Sequence, residues 1–235
     1  MSSVEPSIAE RLADVRRRVR EACERSGRDP GEVTLLGISK RQPLTRVRAA
    51  VAAGLQVLGE NQVQEAIGKS AQLPADIEWH FVGHLQSNKT KPAVRLFAAI
   101  HSIDRLKIAR RIELEAERQG KRLEGFVQVN LGEEPSKSGY AVEGLCEALR
   151  PLADLERLRI VGLMAIPPHE ENLEAARQWF RRLRQLRDEL GSRPEWSGFP
   201  GGLSMGMSHD FEVAIEEGAT HVRVGTSIFG ERGGH

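Results

Sequence analysis

Three groups of residues in this sequence have the types and spacing to do chemistry together. The first is Lys40, which closes the apolar run Val33-Thr-Leu-Leu-Gly-Ile-Ser39. A lysine at the end of a buried strand is desolvated, which lowers its pKa from about 10.4 and exposes a nucleophilic amine. Such an amine condenses with an aldehyde to form an imine, or Schiff base. The alternative is a lysine that has cleared the strand end and places its ammonium in water. The second group is two stretches rich in glycine and hydroxyls, Ser204-Met205-Gly206-Met207-Ser208 and Val224-Gly225-Thr226-Ser227. Both offer accessible backbone N–H groups and hydroxyl donors of the kind that grip phosphate oxygens, although either alone is also an ordinary turn. The third is Arg223, inside the last apolar run. A guanidinium buried there is costly unless it meets an acceptor or a ligand. It can face a pyridine nitrogen, which would stay unprotonated because arginine keeps its own protons. An ion pair with Glu60 or another carboxylate at the same mouth is the competing assignment. Amine, phosphate grip and ring partner together suit a phosphorylated aldehyde.

Other chemistries have weaker support. His80 and His84 are four apart, but across a strand and loop rather than on one helix face, so they do not converge on a metal. His84 is expected as a polar residue at the mouth, and Asp210, beside His209, as a helix cap. Neither a nucleophile elbow nor a P-loop occurs.

The elements that must position these groups follow from hydrophobic periodicity. Ile8, Leu12, Val15, Val19 and Cys23 form one helical stripe that ends near Gly27. Seven strand-like runs follow the first: 57–59, 79–82, 98–101, 125–130, 159–164, 202–204 and 221–224. Helical stretches begin near Leu44, Gln62, Asn88, Asp104, Ala141, Asn172 and Phe211. Short runs without polar alternation are those of strands covered on both faces, and strict strand–helix alternation demands parallel pairing. The count favours an α/β fold closed as a single (β/α)8 TIM-type barrel, preceded by the N-terminal helix, with residues 1–235 as one domain. A doubly wound sheet is the rival, weakened because Ser39-Lys-Arg-Gln-Pro43 carries no G-x-G-x-x-G. Residues 191–202 are expected as one long loop. In such a barrel, Lys40, Asn61, His84, Met164, Ser204, Ser208, Arg223 and Gly225 all fall at or near the C-terminal mouth.

Composition narrows the class of molecule. The 235 residues carry a net charge of +1, with 29% charged and 40% hydrophobic, so the chain as a whole has no strong field for nucleic acid. The Arg16-Arg17-Arg18 and Arg181-Arg182 runs are expected as solvated helix faces. No apolar stretch reaches the roughly 20 residues of a membrane span, the first residues show no secretory pattern, and two cysteines, Cys23 and Cys146, suit a reducing compartment. A cytoplasmic protein is expected. It is also expected to be a monomer, since no long exposed apolar segment demands a partner.

The sequence closely resembles the pyridoxal-phosphate homeostasis protein family. The resemblance is carried by Gly37-Ile-Ser-Lys40, Gly59-Glu-Asn-Gln-Val-Gln-Glu65, Trp79-His-Phe-Val-Gly-His-Leu-Gln-Ser-Asn-Lys89, Ile100-His-Ser-Ile-Asp104 and Gln128-Val-Asn130. It continues through Ser136-Lys-Ser-Gly139, Gly162-Leu-Met164, Leu203-Ser-Met-Gly-Met-Ser208, Asp210-Phe-Glu212, Val222-Arg-Val-Gly-Thr226 and Ile228-Phe-Gly-Glu-Arg232. Two departures flank the site: Arg41-Gln42-Pro43 where Thr-Lys-Pro is usual, and Leu58 where Phe is common. The resemblance implies a barrel like the N-terminal domain of alanine racemase, with pyridoxal 5′-phosphate, the vitamin B6 coenzyme, linked to Lys40. It implies that Ser204, Ser208, Gly225 and Thr226 cradle the phosphate, that Arg223 faces the ring nitrogen, that Asn61, His84 and Met164 line the ring pocket, and that Met205 also belongs to the cofactor site.

The function expected is cofactor homeostasis, as a carrier or buffer that supplies PLP-dependent apo-enzymes, with no established turnover. A racemase needs a second acid/base across from the imine lysine, supplied in alanine racemase by a tyrosine from a further domain and neighbouring subunit. Here Tyr140 is the one tyrosine of the sequence, and no second domain is expected after the eighth βα unit. The alternative is a PLP-dependent racemase or lyase with Lys137 or His84 as that base.

Overall fold

The computed structural model describes residues 5–134, 137–168 and 170–231. Ser136 and Arg232, at the ends of two of the motifs above, lie outside the described residues. The chain opens with α1 (Ile8–Ser26), started by a capping box in which Ser7 Oγ accepts from the Glu10 N–H and the Glu10 carboxylate accepts from the Ser7 N–H. Gly27, at φ 67°, ends it in the left-handed conformation. Leu12, Val15, Val19, Ala22 and Cys23 are buried along one face, as the stripe requires.

Strands and helices then alternate: β1 (Thr34–Ile38), α2 (Leu44–Ala52), β2 (Val57–Glu60), α3 (Val63–Ser70), β3 (Glu78–Phe81), α4 (Thr90–Leu96), β4 (Ala99–Ile103), α5 (Leu106–Arg118) and β5 (Leu123–Gln128). After these come α6 (Leu145–Leu149), β6 (Leu158–Met164), α7 (Leu173–Gly191), β7 (Gly202–Met207), α8 (Phe211–Glu216), β8 (His221–Val224) and the short α9 (Thr226–Phe229). All neighbouring strands pair in parallel in sequence order, and β1 closes on β8 with Thr34 opposite His221 and Leu36 opposite Arg223. The chain is a closed eight-stranded parallel barrel of the TIM type, with α1 preceding it. Among the described residues no helix is long and apolar enough to cross a membrane.

The two-residue strand period sorts each wall into two faces. Leu58, Phe81, Ile100, Val127, Leu163, Leu203 and Val222 join the core between the barrel and its helices. His80, His101, Phe126, Ser204, His221 and Arg223 contact one another inside the barrel. This interior is unusually polar for a fold whose centre is normally filled by branched apolar side chains.

Three local expectations change. Asp210 stands at the start of α8 but its carboxylate accepts from the Met207 N–H at 2.6 Å instead of capping the helix, because the tight β7–α8 turn aims it backward. The arginine runs are not merely solvated. Arg16 donates to the Ala53 and Gly54 carbonyls, and Arg18 forms a bidentate pair with Glu212 while covering the Phe211 ring at 4.6 Å. Arg177, Arg181 and Arg184 of α7 converge on the buried Glu217. The stretch expected as a loop after α7 contains one tight helical turn at Pro194–Trp196, held by burial of Trp196.

Candidate functional site

A cavity of ≈ 520 Å³ opens at the C-terminal ends of the strands, where the βα loops of this architecture converge. Lys40, Asn61, His84, Ser208, Arg223, Gly225 and Thr226 line it. Ser204, Met205 and Met164 do not. Ser204 lies one layer deeper, fully buried, with its hydroxyl between His101 and Arg223. Met205 belongs to the core outside the wall, and Met164 packs with Phe126 and Val161. Strand alternation put Ser204 on the correct face, but the β7 register shift between Ser204 and Met207 leaves it below the mouth.

Lys40 follows β1, and the peptides on either side of it are fixed by a buried ionic cluster beyond the wall. Lys69 of α3 donates to the Ser39 carbonyl at 2.5 Å, to Glu60 at 2.6 Å and to Glu65 at 2.8 Å. Ser39 Oγ donates to Glu60 at 2.8 Å, and the Arg41 N–H donates to Glu65 at 2.6 Å. Arg41 has φ 57°, a left-handed conformation that costs a non-glycine residue on the order of 1 kcal/mol and persists because its surroundings hold it. Glu60 is fully buried; desolvation pushes its carboxyl above the usual range, against the pull of Lys69. Glu60 therefore sits on the far side of the sheet from Arg223, and the ion pair considered for them does not form.

Arg223 instead donates to Ser204 Oγ at 2.7 Å and to the Ala165 carbonyl at 2.9 Å. Burial brings its pKa down to about 10, which leaves it a cation at neutral pH. Asp210 pulls the other way on Arg223, while two rings beside it are neutral: burial holds His101 well below the ordinary histidine value and His221 down to about 3.

The opposite corner is rich in donors. The Gly225 and Ser227 N–H groups point at Ser208 Oγ at 3.1 and 3.3 Å, with the Thr226 side chain beside them on the cavity. The turn that delivers Ser208 needs Gly206, which has φ 88° and whose absent Cβ would meet Ala214 Cβ at 2.6 Å. At the rim, His84 Nδ1 lies 2.9 Å from an Asp104 carboxylate oxygen, and Lys137 pairs with Glu134 at 2.6 Å. Gly83 lets β3 approach β2, since a Cβ there would stand 2.3 Å from the Asn61 carbonyl. Among the described residues no cluster of metal-ligating side chains exists.

Several structural participants were not picked out from sequence. Lys69 and Glu65 carry only an i, i+4 spacing, a pattern shared with many solvated helix pairs. His80, weighed above only as a metal ligand, shares the inward phase of Arg223 with His101 and His221 on their own strands, a signal visible once the wall's two faces are assigned.

The chain has relatives. The model of the alanine racemase N-terminal domain matches residues 11–233. The pyridoxal phosphate homeostasis protein of Aquifex aeolicus is 46% identical over 227 residues, covering 96% of this chain and 99% of its own, and that of Pseudomonas aeruginosa is 47% identical over 228. Among solved structures, PipY of Synechococcus elongatus with PLP bound superimposes with TM-score 0.81 at 37% identity, covering 95% of this chain and 100% of that one. The alanine racemase of Streptomyces coelicolor shares the fold alone, at TM-score 0.63 and 23% identity, this chain spanning 58% of it. On these matches across nearly its whole length, the chain belongs to the pyridoxal phosphate homeostasis protein family.

Proposed function

We propose that this chain binds pyridoxal 5′-phosphate as an imine on Lys40 and acts in the cytoplasm as a single-domain, monomeric carrier that supplies PLP-dependent apo-enzymes. The observation that carries the reading is the convergence of Lys40, Arg223 and the Ser208–Gly225–Thr226 corner on one cavity. The residues present suit the group. Backbone N–H groups and hydroxyls at one corner match an anionic phosphate, and Lys40 supplies an amine for the aldehyde. A permanently charged Arg223 suits a ring nitrogen that carries no proton. Bound there, the coenzyme supplies an electrophilic carbon and an electron-withdrawing ring. Lys40 would hold the aldehyde end of the group through its amine, with the Ser208–Gly225–Thr226 corner holding the phosphate. Arg223 accepts nothing, so the ring is a weak electron sink, which suits storage better than carbanion chemistry. Asn61 and His84 flank the ring, while Ser204 acts through Arg223.

The relatives' names support homeostasis as the role, and the PLP-bound PipY structure supports the ligand. A second reading, racemase or lyase, is favoured by Lys137 and His84, which both reach the cavity as potential second bases. Borohydride reduction of the PLP-loaded protein followed by peptide mass mapping tests the first reading; the adduct should lie on Lys40. A Lys40→Ala variant that keeps the imine absorbance would overturn it. Catalytic exchange of alanine's Cα hydrogen in deuterated water would replace the carrier with the enzyme.

A further inference from the structure

A chain of short hydrogen bonds crosses the barrel interior from its N-terminal rim to Arg223. Glu78 Oε1 lies 2.6 Å from His80 Nε2, and His80 Nδ1 lies 2.9 Å from His101 Nε2. His101 Nδ1 lies 2.7 Å from Ser204 Oγ, which accepts from Arg223 Nη1 at 2.7 Å. Phe126 stacks on His101 at 4.3 Å between ring centroids, and His221 stacks on His80 at 6.0 Å. These rings wall the chain off laterally, and Glu78 alone among its members is substantially exposed.

Chemistry gives this chain one direction. A guanidinium only donates, so Ser204 Oγ accepts from Arg223 and its single proton must go to His101 Nδ1. A neutral His101 then carries its proton on Nε2 and donates to His80 Nδ1, and His80 in turn donates from Nε2 to the Glu78 carboxylate. Each proton along this path, from Ser204 to Glu78, then finds an acceptor. Reversing the chain would strand the Ser204 proton and set His80 Nε2 against a carboxylate unless that ring became a cation. His221 takes no part, because its Nδ1 meets Thr220 Oγ1 at 2.9 Å. Among the described residues the buried Arg223 donates to two neutral acceptors, Ser204 Oγ and the Ala165 carbonyl, and Asp210 acts on it without a hydrogen bond. The relay places a carboxylate at its far end and aligns every intervening dipole toward the guanidinium.

We propose that Glu78, His80, His101 and Ser204 form a one-directional relay that holds the Arg223 guanidinium in place for the ring nitrogen of the cofactor, making all four positioning residues. This rests on the PLP reading of the cavity, and the test keeps the two separable.

The first measurement uses ligand-free protein with 15N-labelled histidine at pH 7. His80 and His101 should both be neutral with the proton on Nε2; a proton on His101 Nδ1, or a cationic ring at either position, overturns the relay. The second compares variants in PLP affinity and in the pH at which the imine absorbance changes. His101→Gln keeps an acceptor toward Ser204 and a donor toward His80, whereas His101→Leu keeps neither. Breaking a hydrogen-bond path to a charged group should weaken PLP binding about tenfold or more in His101→Leu and by no more than about threefold in His101→Gln. Equal behaviour of the two variants refutes the positioning role. Should His101→Leu fold poorly, Glu78→Ala against Glu78→Gln, at the exposed end, makes the same comparison, with loss of the fixed His80 tautomer expected only in the alanine variant. If borohydride traps no cofactor on the wild-type chain while the tautomers are as stated, the reading of the cavity fails and the relay's polarity stands. If trapping succeeds with the wrong tautomers, the relay alone fails.

Discussion

Replacing Lys69 by methionine should cost more than any surface ion pair, and the cost should depend on pH in a direction the buried cluster dictates. Lys69 has a tenth of its side chain exposed and Glu60 none. Its loss strands a carboxylate that burial already pushes above the usual 4.5. Removing one partner of a buried pair typically costs about 3–5 kcal/mol, a large share of a domain's roughly 5–15 kcal/mol. The sign follows from proton binding. A raised folded pKa means that the folded chain binds the Glu60 proton more tightly than the unfolded chain, so stability falls as pH rises through the interval above 4.5. Lys69 opposes that rise, so its removal widens the interval. Lys69→Met should lose about 3–5 kcal/mol at pH 7 relative to wild type, and only about 1–2 kcal/mol near pH 4.5, where Glu60 is protonated and a hydrogen bond to the Ser39 carbonyl is the main loss. Urea unfolding followed by circular dichroism at both pH values measures this, with the m-value checked for constancy. Adding Glu60→Gln to Lys69→Met should restore about 2 kcal/mol at pH 7. A penalty that is the same at both pH values and is not relieved by Glu60→Gln would refute the assignment of Lys69 as the counter-charge.

Glu217→Ala should release Arg177, Arg181 and Arg184 of α7 and lower stability by about 2 kcal/mol in urea titration, with Glu217→Gln intermediate, the half-exposed arginines being screened by water. Gly206→Ala should cost about 2–4 kcal/mol in the same assay and weaken PLP binding, because a left-handed φ of 88° and a 2.6 Å contact with Ala214 Cβ both resist a methyl group. His221 is held neutral down to about pH 3 by burial, while in the unfolded chain it titrates near 6.5, so a stability penalty sets in as pH falls below 6.5 and is complete near 3. His221→Phe should therefore flatten the acid limb, sparing about 2 kcal/mol between pH 7 and pH 5 in unfolding measurements.

The barrel was legible because its strands are short apolar runs at regular intervals, and the place of Lys40 on the cavity because it ends the first of them. Boundaries moved by a residue or a few: α6 begins at Leu145 where a start near Ala141 was expected, and β5 stops at Gln128 with Val129 bridging Tyr140 instead. Position inside a strand marked Arg223 as pointing inward, but the depth of Ser204 is set by barrel tilt and by the β7 register shift, neither of which a linear pattern encodes. That is why Ser204 was assigned to the phosphate and is found beneath Arg223. Lys69 was invisible for a different reason. A Glu–Lys pair four apart is the same on a solvated helix and on one pressed against the wall, and only tertiary packing distinguishes them. Arg18 likewise carried no local sign that Glu212, distant in sequence, would meet it.

The first helix spans a seam. Arg18 and Arg25 reach Glu212 and Glu216, and Arg28 binds the Ile215 and Ala219 carbonyls, while Arg16 holds the loop after α2. α1 thus fastens onto α8, far along the chain, beside the junction where β1 meets β8. During synthesis that edge has no neighbour until residues beyond 220 have left the ribosome, so α1 must wait beside an unpaired strand while β2 to β7 are made. Closure is a late, non-local event, and anything that stalls elongation shortly before the eighth strand leaves the molecule open along this one line.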